Sequence, residues 1–225
     1  MLLRAIAFDI DGTLYPNRAM YKKSLGFALT RPRLLYHFAR VRRQLRKVRP
    51  IEDFYETQLR MTAESLGTSP ESLRDRLSHD IYEASEQVLA SVPLYAGVTD
   101  LLSELSGRVK LGVMSDFPVD RKLGILGLDV GWDCSVSTEE VGYLKPNPEP
   151  FVALLECLDC ASEQVLYVGN SFHYDVVGAS RAGMRTAWLN DNGRKPPDQS
   201  VSPDITFRHY SELRDWVIPL LDGEM

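Results

Sequence analysis

The sequence predicts an α/β protein in which a parallel sheet is covered by helices on both faces and a helical segment interrupts the chain after the first strand. From residue 97 onward, short apolar runs alternate with stretches of helical periodicity, as in parallel sheets. Between residues 16 and 93 there is no strand pattern, and apolar residues recur at steps of three and four. The expected units are therefore a core of residues 1–15 and 94–225 and a helical insertion of residues 16–93.

Apolar runs of strand length predict the sheet. Four of them are typical of buried strands and span residues 4–10, 109–115, 165–169 and 185–190. Two weaker runs, residues 132–138 and 204–208, predict further strands. Helices are expected between the strands, over residues 98–105, 148–158 and 175–182, and Gly107 is a plausible C-cap for the first of them.

Three amphipathic stretches predict the helices of the insertion. The first places an apolar residue at every third or fourth position: Leu34, Phe38, Val41, Leu45 and Val48. The second covers residues 51–67 and ends at Gly67. Ser69 and Pro70 then give an N-cap followed by proline at the first helical position. The helix after them carries Leu73, Leu77, Ile81 and Val88 on one face.

The charge of the chain is divided unevenly. The formal net charge is −5, but residues 15–50 contain eleven Lys and Arg and no acid. Residues 31–49 contain eight cations, and seven of them are assigned to a basic helix face: Arg33, Arg40, Arg42, Arg43, Arg46, Lys47 and Arg49. Such a face is either solvated, with its stems covering the apolar stripe, or attracts an anionic substrate, or binds an anionic surface, nucleic acid or a partner helix.

The cysteine content and the hydropathy of the sequence indicate the cellular compartment of the protein. The chain has three cysteines, an odd and low number that argues against a disulfide framework. Cys157 and Cys160 form a C-x-x-C pair at the end of a predicted helix, whereas reactive thiols favour helix N-termini, so we expect structural thiols. No apolar run reaches the roughly 18 residues of a membrane span. The first residues carry acids where a signal peptide would have its cleavage site, so a cytoplasmic protein is expected.

Polar residues follow several predicted strands at the point where each strand ends. Because parallel strands share one carboxyl edge, ligands bind at that edge. Asp9 and Asp11, two residues apart on an extended chain, point the same way and repel each other unless a cation lies between them. A turn or capping role is the alternative for this pair. The same edge is expected to receive Ser115, Asp116, Lys145 and Asn170.

Four motifs in order resemble the haloacid dehalogenase superfamily, whose members are mostly phosphatases. F-D-I-D-G-T-L at residues 8–14 is similar to the first family motif. V-M-S-D, K-P-N-P-E-P-F and V-G-N-S-F-H-Y-D-V-V-G-A-S-R-A-G-M follow in family order, and P-L-Y-A-G-V at residues 93–98 resembles the return from cap to core. The resemblance implies a Rossmann-like parallel-sheet core with an α-helical cap domain inserted after the first strand.

The resemblance also implies a mechanism for hydrolysis of a small phosphorylated metabolite. Asp9 would attack phosphorus and form an aspartyl-phosphate. Asp11 would protonate the leaving oxygen and then deprotonate the attacking water. Ser115 and the neighbouring backbone at Asp116 would hold phosphoryl oxygens, and Lys145 would neutralise charge.

A magnesium ion is the cofactor that the resemblance implies. Mg²⁺ would be held by Asp9, by the backbone carbonyl of Asp11, and at the corner formed by Asn170 and Asp175. Family members usually carry aspartate where this chain has Asn170. An amide oxygen ligates Mg²⁺ without supplying charge, so a working but weaker metal site is expected.

Asp11 also distinguishes a phosphatase from a dehalogenase within this family. The dehalogenase branch of the family lacks this second aspartate because a halide leaves without a proton, so a phosphatase is preferred. A phosphomutase would retain all the same groups. The alternative from another class is a catalytically weak binding module that uses the basic face of residues 31–49, and Asn170 favours it. His173, in the same loop, is expected to line the pocket or lie at the surface.

Overall fold

A computed structural model describes residues 2–223 and contains one six-stranded sheet. All its strands are parallel, in the order β3-β2-β1-β4-β5-β6. Each of the six predicted strands is present, and the α/β class is confirmed. The bounds are β1 Ala5–Asp9, β2 Lys110–Ser115, β3 Cys134–Ser137, β4 Val165–Gly169, β5 Arg185–Leu189 and β6 Ile205–Phe207.

The segment between β1 and β2 is helical for most of its length before residue 90. Its helices are α1 Asn17–Thr30, α2 Pro32–Leu45, α3 Phe54–Leu66, α4 Pro70–Leu77 and α5 Ala84–Leu89, with a π-helical stretch at Ser78–Glu83 joining α4 to α5. The predicted stripe of α2 is buried from Leu34 to Leu45, and Val48 lies beyond the end of the helix. Ser69 caps α4 by accepting a hydrogen bond from the backbone N–H of Ser72. The division into a core and a cap domain stays a prediction.

Helix α1 was not predicted, because its apolar residues are spread around the helix instead of forming a single face. Tyr21, Leu25 and Leu29 recur at steps of four and are exposed by 69%, 58% and 72%, whereas Ala19 and Met20 pack against the main hydrophobic cluster. None of the residues of α1 is buried. Apolar residues on several sides of a helix give only a weak helical period in the sequence.

The remaining helices cover both faces of the sheet. They are α6 Val98–Leu105, α7 Asp120–Ile125, α8 Thr138–Val141, α9 Pro148–Leu158, α10 Val177–Arg181 and α11 Tyr210–Asp222, with π-helical geometry at Phe172–Val176 before α10. Ile6 and Phe8 of β1 pack in the same cluster as residues of α6 and α11, whereas Ala5 and Ala7 pack with α9. Alternate residues of a buried strand thus reach opposite layers, which fixes the direction of every side chain at the carboxyl edge.

The expectation for the cysteines was wrong at one position of the C-x-x-C pair. Cys157 of α9 forms a disulfide with Cys134 of β3, with 5.8 Å between the two Cα atoms, and Cys160 is a free thiol. The two partners lie 23 residues apart, and only the packing of α9 beside β3 brings them together. Disulfides are rare in the cytosol, so the cytoplasmic localisation stays a prediction without support from this bond. Within residues 2–223 no helix is long and apolar enough to span a bilayer.

Candidate active site

The carboxyl ends of β1, β2 and β4 bring the predicted residues to one edge. Asp9 is in register with Met114 of β2, and Phe8 with Val168 of β4. Ser115 therefore ends β2 beside Asp9, and Asn170 follows β4 on the other side. Lys145 reaches the same place from the loop that precedes α9.

A lysine and two carboxylates form the deepest part of the site, which we call the Lys145 cluster: Asp9, Lys145 and Asp175. Lys145 Nζ lies 2.6 Å from Asp9 Oδ1 and 2.6 Å from Asp175 Oδ1. All three residues are at least 95% buried. Thr13 donates its hydroxyl to Asp9 Oδ2 at 2.7 Å. One ammonium faces two carboxylates, so the Lys145 cluster has an excess of negative charge.

This imbalance changes the acidity of Asp9. Burial is the largest cause and raises the pKa of Asp9 to about 7; the charges of Asp175 and Asp11 also raise it, against the opposing charge of Lys145. Burial lowers the pKa of Lys145, but the two carboxylates outweigh it and the pKa lies well above its ordinary value. The lysine therefore stays charged, and Asp9 holds a proton more easily than an ordinary aspartate does.

A second lysine holds Asp11, and we call this group the Lys122 cluster: Asp11, Ser115 and Lys122. Lys122 Nζ lies 2.7 and 2.6 Å from the two oxygens of Asp11 and 3.1 Å from Ser115 Oγ. Ser115 donates to Asp11 Oδ2 at 2.6 Å, and the Tyr15 hydroxyl donates to Oδ1. Burial raises the pKa of Asp11. The charge of Lys122 and these hydrogen bonds lower it by more than burial raises it, so that the pKa is about 2.

Sequence reasoning missed Lys122. It lies on α7, is 93% buried, and sits 5.1 Å from the centre of the Phe117 ring. The one sequence signal is a lysine within a short helix, seven residues after Ser115. That pattern is shared by many surface lysines, so the contact with Asp11 could be found only in three dimensions.

Both oxygens of the Asp116 side chain have hydrogen-bond or ion-pair partners within the protein. Its Oδ1 accepts hydrogen bonds from the Thr138 hydroxyl at 3.0 Å and from the Lys145 backbone N–H at 3.2 Å, and its Oδ2 pairs with Arg46. The structure therefore places its carboxylate in a network between β2, α8 and α2. A carboxylate with this set of partners is not free to turn toward an anionic substrate.

Two arginines of α2 join the helical insertion to this network, and we call them the arginine clamp: Arg42 and Arg46. Arg42 is 94% buried, pairs with the buried Glu139, and donates to the Asp116 carbonyl at 2.7 Å. Arg46 donates to the Lys145 carbonyl at 2.8 Å. Breaking such a buried pair by removing one partner is strongly destabilising, so the arginine clamp holds the C-terminal end of α2 against the segments that carry Asp116, Glu139 and Lys145.

The basic face is consequently smaller than the sequence predicted. Besides the arginine clamp, Arg49 pairs with Glu149. Four cations of this face are exposed and form no salt bridge among residues 2–223: Arg33, Arg40, Arg43 and Lys47. Binding of nucleic acid or an anionic surface through residues 31–49 stays a prediction, and it would depend on these four.

The corner after β4 contains Asn170 and Asp175. Asn170 Oδ1 lies 3.4 Å from Thr13 Oγ1, the same hydroxyl that contacts Asp9 Oδ2. Asp175 uses Oδ1 for Lys145 and Oδ2 for the backbone N–H of Ser171 at 2.8 Å. Both oxygens of Asp175 thus accept hydrogen bonds, as do both oxygens of Asp9. The Thr13 hydroxyl lies within hydrogen-bond distance of both Asp9 Oδ2 and Asn170 Oδ1.

Gly12 makes this corner possible. Its φ is +94°, and a Cβ atom there would lie 2.3 Å from the Asn170 amide nitrogen and 2.1 Å from that of Asn17. A side chain at this position would displace both amides. The D-G pair of the first motif therefore serves the close approach of the β4 corner as well as a turn.

The donor set fits a hard divalent cation. The oxygens available are the Asp9 carboxylate, the Asn170 amide and backbone carbonyls, and Mg²⁺ prefers oxygen ligands. The excess negative charge of the Lys145 cluster favours a cation beside Asp9. Within the described part of the chain, no group of three or more His, Cys, Asp or Glu is arranged as a metal site. A cation here would therefore depend on amide, backbone and water oxygens in addition to Asp9.

A cavity of about 680 Å³ opens from this corner. It starts at Gly12 and Asn170 and continues between α1 and the loop after β5. His173 is exposed and lines it, as predicted. A molecule in the cavity would lie directly beside the carboxyl end of β1.

Comparison with known proteins agrees with these features. A family model described as haloacid dehalogenase-like hydrolase matches residues 3–183. The chain is 30% identical over 155 residues to pyrimidine 5'-nucleotidase YjjG of Escherichia coli, covering 67% of this chain and 65% of the nucleotidase. It is 28% identical over 235 residues to a glyceraldehyde 3-phosphate phosphatase of Methanopyrus kandleri, covering 96% and 97%. The solved structure of a 2-haloacid dehalogenase from Pseudomonas syringae pv. Tomato matches over the whole of both chains, with a TM-score of 0.73 and 22% identity.

Proposed function

This chain belongs to the haloacid dehalogenase-like hydrolase family, and we propose that it is a Mg²⁺-dependent phosphatase that cleaves a small phosphorylated metabolite through an aspartyl-phosphate. The observation that carries the proposal is the pair of aspartates at the end of β1, each held by its own lysine. The two relatives, a nucleotidase and a phosphatase, are both named for the cleavage of phosphate esters, which agrees with it.

Asp9 is the proposed nucleophile. In the first step a carboxylate oxygen of Asp9 bonds to phosphorus, the bond from phosphorus to the leaving oxygen breaks, and its electron pair goes to that oxygen. Thr13 and Lys145 hold the two oxygens of Asp9 in place before the attack. Mg²⁺ held by Asp9, the Asp11 carbonyl and Asn170 would favour the ionised carboxylate and neutralise charge on the phosphoryl group.

Asp11 is the proposed acid and base. In the ligand-free site its low pKa keeps it ionised against Lys122. A phosphoryl dianion arriving beside it raises that pKa through charge repulsion and draws the Lys122 ammonium toward phosphoryl oxygens. Asp11 then takes up a proton from solvent and gives it to the leaving alkoxide, and it takes one back from the water that cleaves the aspartyl-phosphate.

The remaining residues position these two. Ser115 donates to Asp11 in the ligand-free site and is close enough to turn its hydroxyl toward a phosphoryl oxygen. The Asp116 carboxylate is taken up by Arg46 and Thr138, so its contribution to substrate binding would come from its backbone. Asp175 would act mainly by orienting Lys145.

The likeness to a dehalogenase shows the fold alone, since the identity is 22%. A halide needs no proton when it leaves. A carboxylate that is surrounded by a lysine, a serine and a tyrosine is instead suited to proton transfer with an alkoxide.

The test is a screen of phosphomonoesters with Mg²⁺ present and absent, in which phosphate release is measured for the wild type and for Asp9→Asn. We expect turnover that requires Mg²⁺ and falls by at least about 10³-fold in Asp9→Asn, because the nucleophile is lost. Acid-quenched wild-type protein should retain an acid-stable phosphate on Asp9.

Asp198→Asn, an exposed aspartate of the loop after β5, removes the same charge away from the site and is the matched control. If no ester is hydrolysed above the Asp9→Asn background, the binding-module alternative replaces this proposal. Halide release from 2-chloropropionate in the same assay would favour the dehalogenase reaction instead.

A further inference from the structure

The cavity beside the active site carries an unbalanced positive charge. Three cations line it, Arg18 of α1 and Arg194 and Lys195 of the loop after β5, against one lining carboxylate, Asp191. Asp191 accepts a hydrogen bond from the Tyr95 hydroxyl at 3.0 Å. Among residues 2–223, none of the three cations takes part in a salt bridge.

We propose that this cavity binds the leaving group of the substrate, and that the leaving group carries a second anion, either a carboxylate or a second phosphoryl group. The inference rests on the phosphatase function proposed above. Gly12, which follows the proposed acid Asp11, and Asn170 belong both to the cavity and to the corner beside Asp9, so the cavity adjoins the place where a phosphoryl group would bind.

The loop that supplies Arg194 is held in place by a buried asparagine. The Asn190 side chain donates to the Arg194 carbonyl at 2.8 Å and accepts from the Arg194 N–H at 2.9 Å. Asn190 itself is 92% buried, and its N–H donates to the Phe207 carbonyl at 2.8 Å. The backbone of Arg194 is therefore fixed before a ligand arrives, which lowers the entropic cost of binding an anion there.

On the opposite side of the site the cations are paired with carboxylates. The arginine clamp and Lys122 are paired with Glu139, Asp116 and Asp11. Their charges are used within the protein, whereas those of Arg18, Arg194 and Lys195 are available. A substrate that extends beyond its phosphoryl group therefore has room and unpaired charge on the side of α1 and β5.

The volume sets the size of the ligand. At about 680 Å³ the cavity falls in the range of small-molecule sites, which is roughly 300–1,000 Å³. A phosphoryl group bound at Asp9 would leave this space empty. A leaving group of metabolite size with a terminal anion fills it and reaches the cations, because guanidinium groups bind carboxylates and phosphates in the same bidentate way.

The experiment compares matched substrates. 3-Phosphoglycerate differs from glycerol 3-phosphate by a carboxylate, and fructose 1,6-bisphosphate differs from fructose 6-phosphate by a second phosphate. We expect kcat/KM to be about tenfold or more higher for the member of a pair that carries the second anion, and this ratio to fall about tenfold in Arg194→Gln and in Arg18→Gln. Whichever pair responds identifies the second anion as a carboxylate or a phosphoryl group.

Lys23→Gln is the matched control, since Lys23 is an exposed cation of the same helix as Arg18 but does not line the cavity. The preference should persist in this variant. A wild type that hydrolyses both members of both pairs equally, with ratios that Arg194→Gln does not change, would overturn the anion subsite and leave the phosphatase function standing.

A second measurement separates the two proposals if no ester is hydrolysed. Binding of 3-phosphoglycerate and of fructose 1,6-bisphosphate to Asp9→Asn is measured by calorimetry, with and without the Arg194→Gln change. Affinity that falls about fivefold or more on losing Arg194 supports an anion subsite in the cavity even though the phosphatase proposal has failed. Equal affinity in both proteins, or no binding, overturns the subsite.

Discussion

Asp9 and Asp11 lie two residues apart at the end of the same strand, and each is bound by a lysine, yet their acidities are opposite. The pKa of Asp9 is raised to about 7, and that of Asp11 is lowered to about 2. Burial raises both. The difference comes from the neighbours: Lys145 is shared between two carboxylates, whereas Lys122 serves Asp11 alone and is assisted by two hydroxyls. The ratio of ammonium to carboxylate therefore decides which acid is ionised.

The two clusters are suited to different tasks for this reason. The Lys145 cluster has one more carboxylate than ammonium. A divalent cation can neutralise this excess negative charge and keep Asp9 ionised for attack. The Lys122 cluster is balanced, so its carboxylate changes protonation only when another anion enters. Changing the charge of one cluster at a time tests this division of roles.

The largest effect is expected from Lys145→Met, which leaves Asp9 and Asp175 buried without their shared ammonium. We expect the free energy of unfolding to fall by about 3–5 kcal/mol in the presence of a chelator, because removing one partner of a buried ion pair leaves uncompensated charge. Urea denaturation measures the loss. Saturating Mg²⁺ should restore part of it, since a bound cation stabilises the folded state.

Lys110→Met is the control for this prediction. Lys110 is a half-buried lysine at the start of β2 that donates to the Leu158 carbonyl at 2.7 Å. Its loss should cost about 1 kcal/mol, the value of a single hydrogen bond, and Mg²⁺ should not restore it. Equal losses in the two variants would mean that the charge balance of the Lys145 cluster has no special weight.

The next effect is expected from Lys122→Met. Without the ammonium, the pKa of Asp11 should rise from about 2 toward or above its ordinary value, and kcat should fall about 10²-fold because the acid and base is no longer positioned. A ¹³C NMR titration of the Asp11 carboxyl and steady-state kinetics measure the two quantities. Lys122→Arg keeps the charge and should hold the pKa low, whereas a pKa that stays near 2 in Lys122→Met would show that Lys122 does not control Asp11.

Lys122 also shows where prediction from the sequence stops. The six strands and the apolar face of α2 could be predicted, because burial against a sheet or a helix imposes a period on the sequence. Asp9, Ser115, Lys145 and Asn170 could be placed at one edge because parallel strands end together. Lys122 lies on a short helix, and its contact with Asp11 spans 111 residues, so no local pattern indicates it.

Side-chain contacts that depend on helix packing could not be predicted from the sequence either. The sequence showed a basic face on α2, but not that Arg42 and Arg46 turn into the protein toward Glu139 and Asp116. It showed three cysteines, but not that Cys134 lies beside Cys157. In each case the sequence gives the residue types but not the distance between the two partners, because that distance depends on how the helices pack.

An effect of pH on stability follows from the raised pKa of Asp9. An acid whose pKa is higher in the folded state than its ordinary 3.8 stabilises the fold at low pH, and the contribution is lost as the pH rises from about 4 to about 7. The free energy of unfolding of the metal-free protein should therefore fall by on the order of 4 kcal/mol across this window, measured by urea unfolding with a chelator.

Asp9→Asn should remove this dependence between pH 4 and 7. Asp11 acts in a separate window and with the opposite sign: its lowered pKa stabilises the fold above about pH 4, and this stability is lost as the pH falls toward 2. The same slope between pH 4 and 7 in the wild type and in Asp9→Asn would contradict the assignment of the raised pKa to Asp9.

The smallest expected effect concerns the residue that departs from the family pattern. Asn170→Asp adds a carboxylate next to the Thr13 hydroxyl that already contacts Asp9, so a third negative charge would face the one ammonium of the Lys145 cluster. We expect Mg²⁺ to bind about tenfold more tightly in a calorimetric titration, because charged oxygens hold a hard cation better than an amide. Asn17→Asp is the matched control, since the Asn17 amide also packs on Gly12 but has no contact with Thr13. Tighter binding in both variants would indicate a general field effect, and unchanged binding in Asn170→Asp would make the corner a polar turn rather than a ligand.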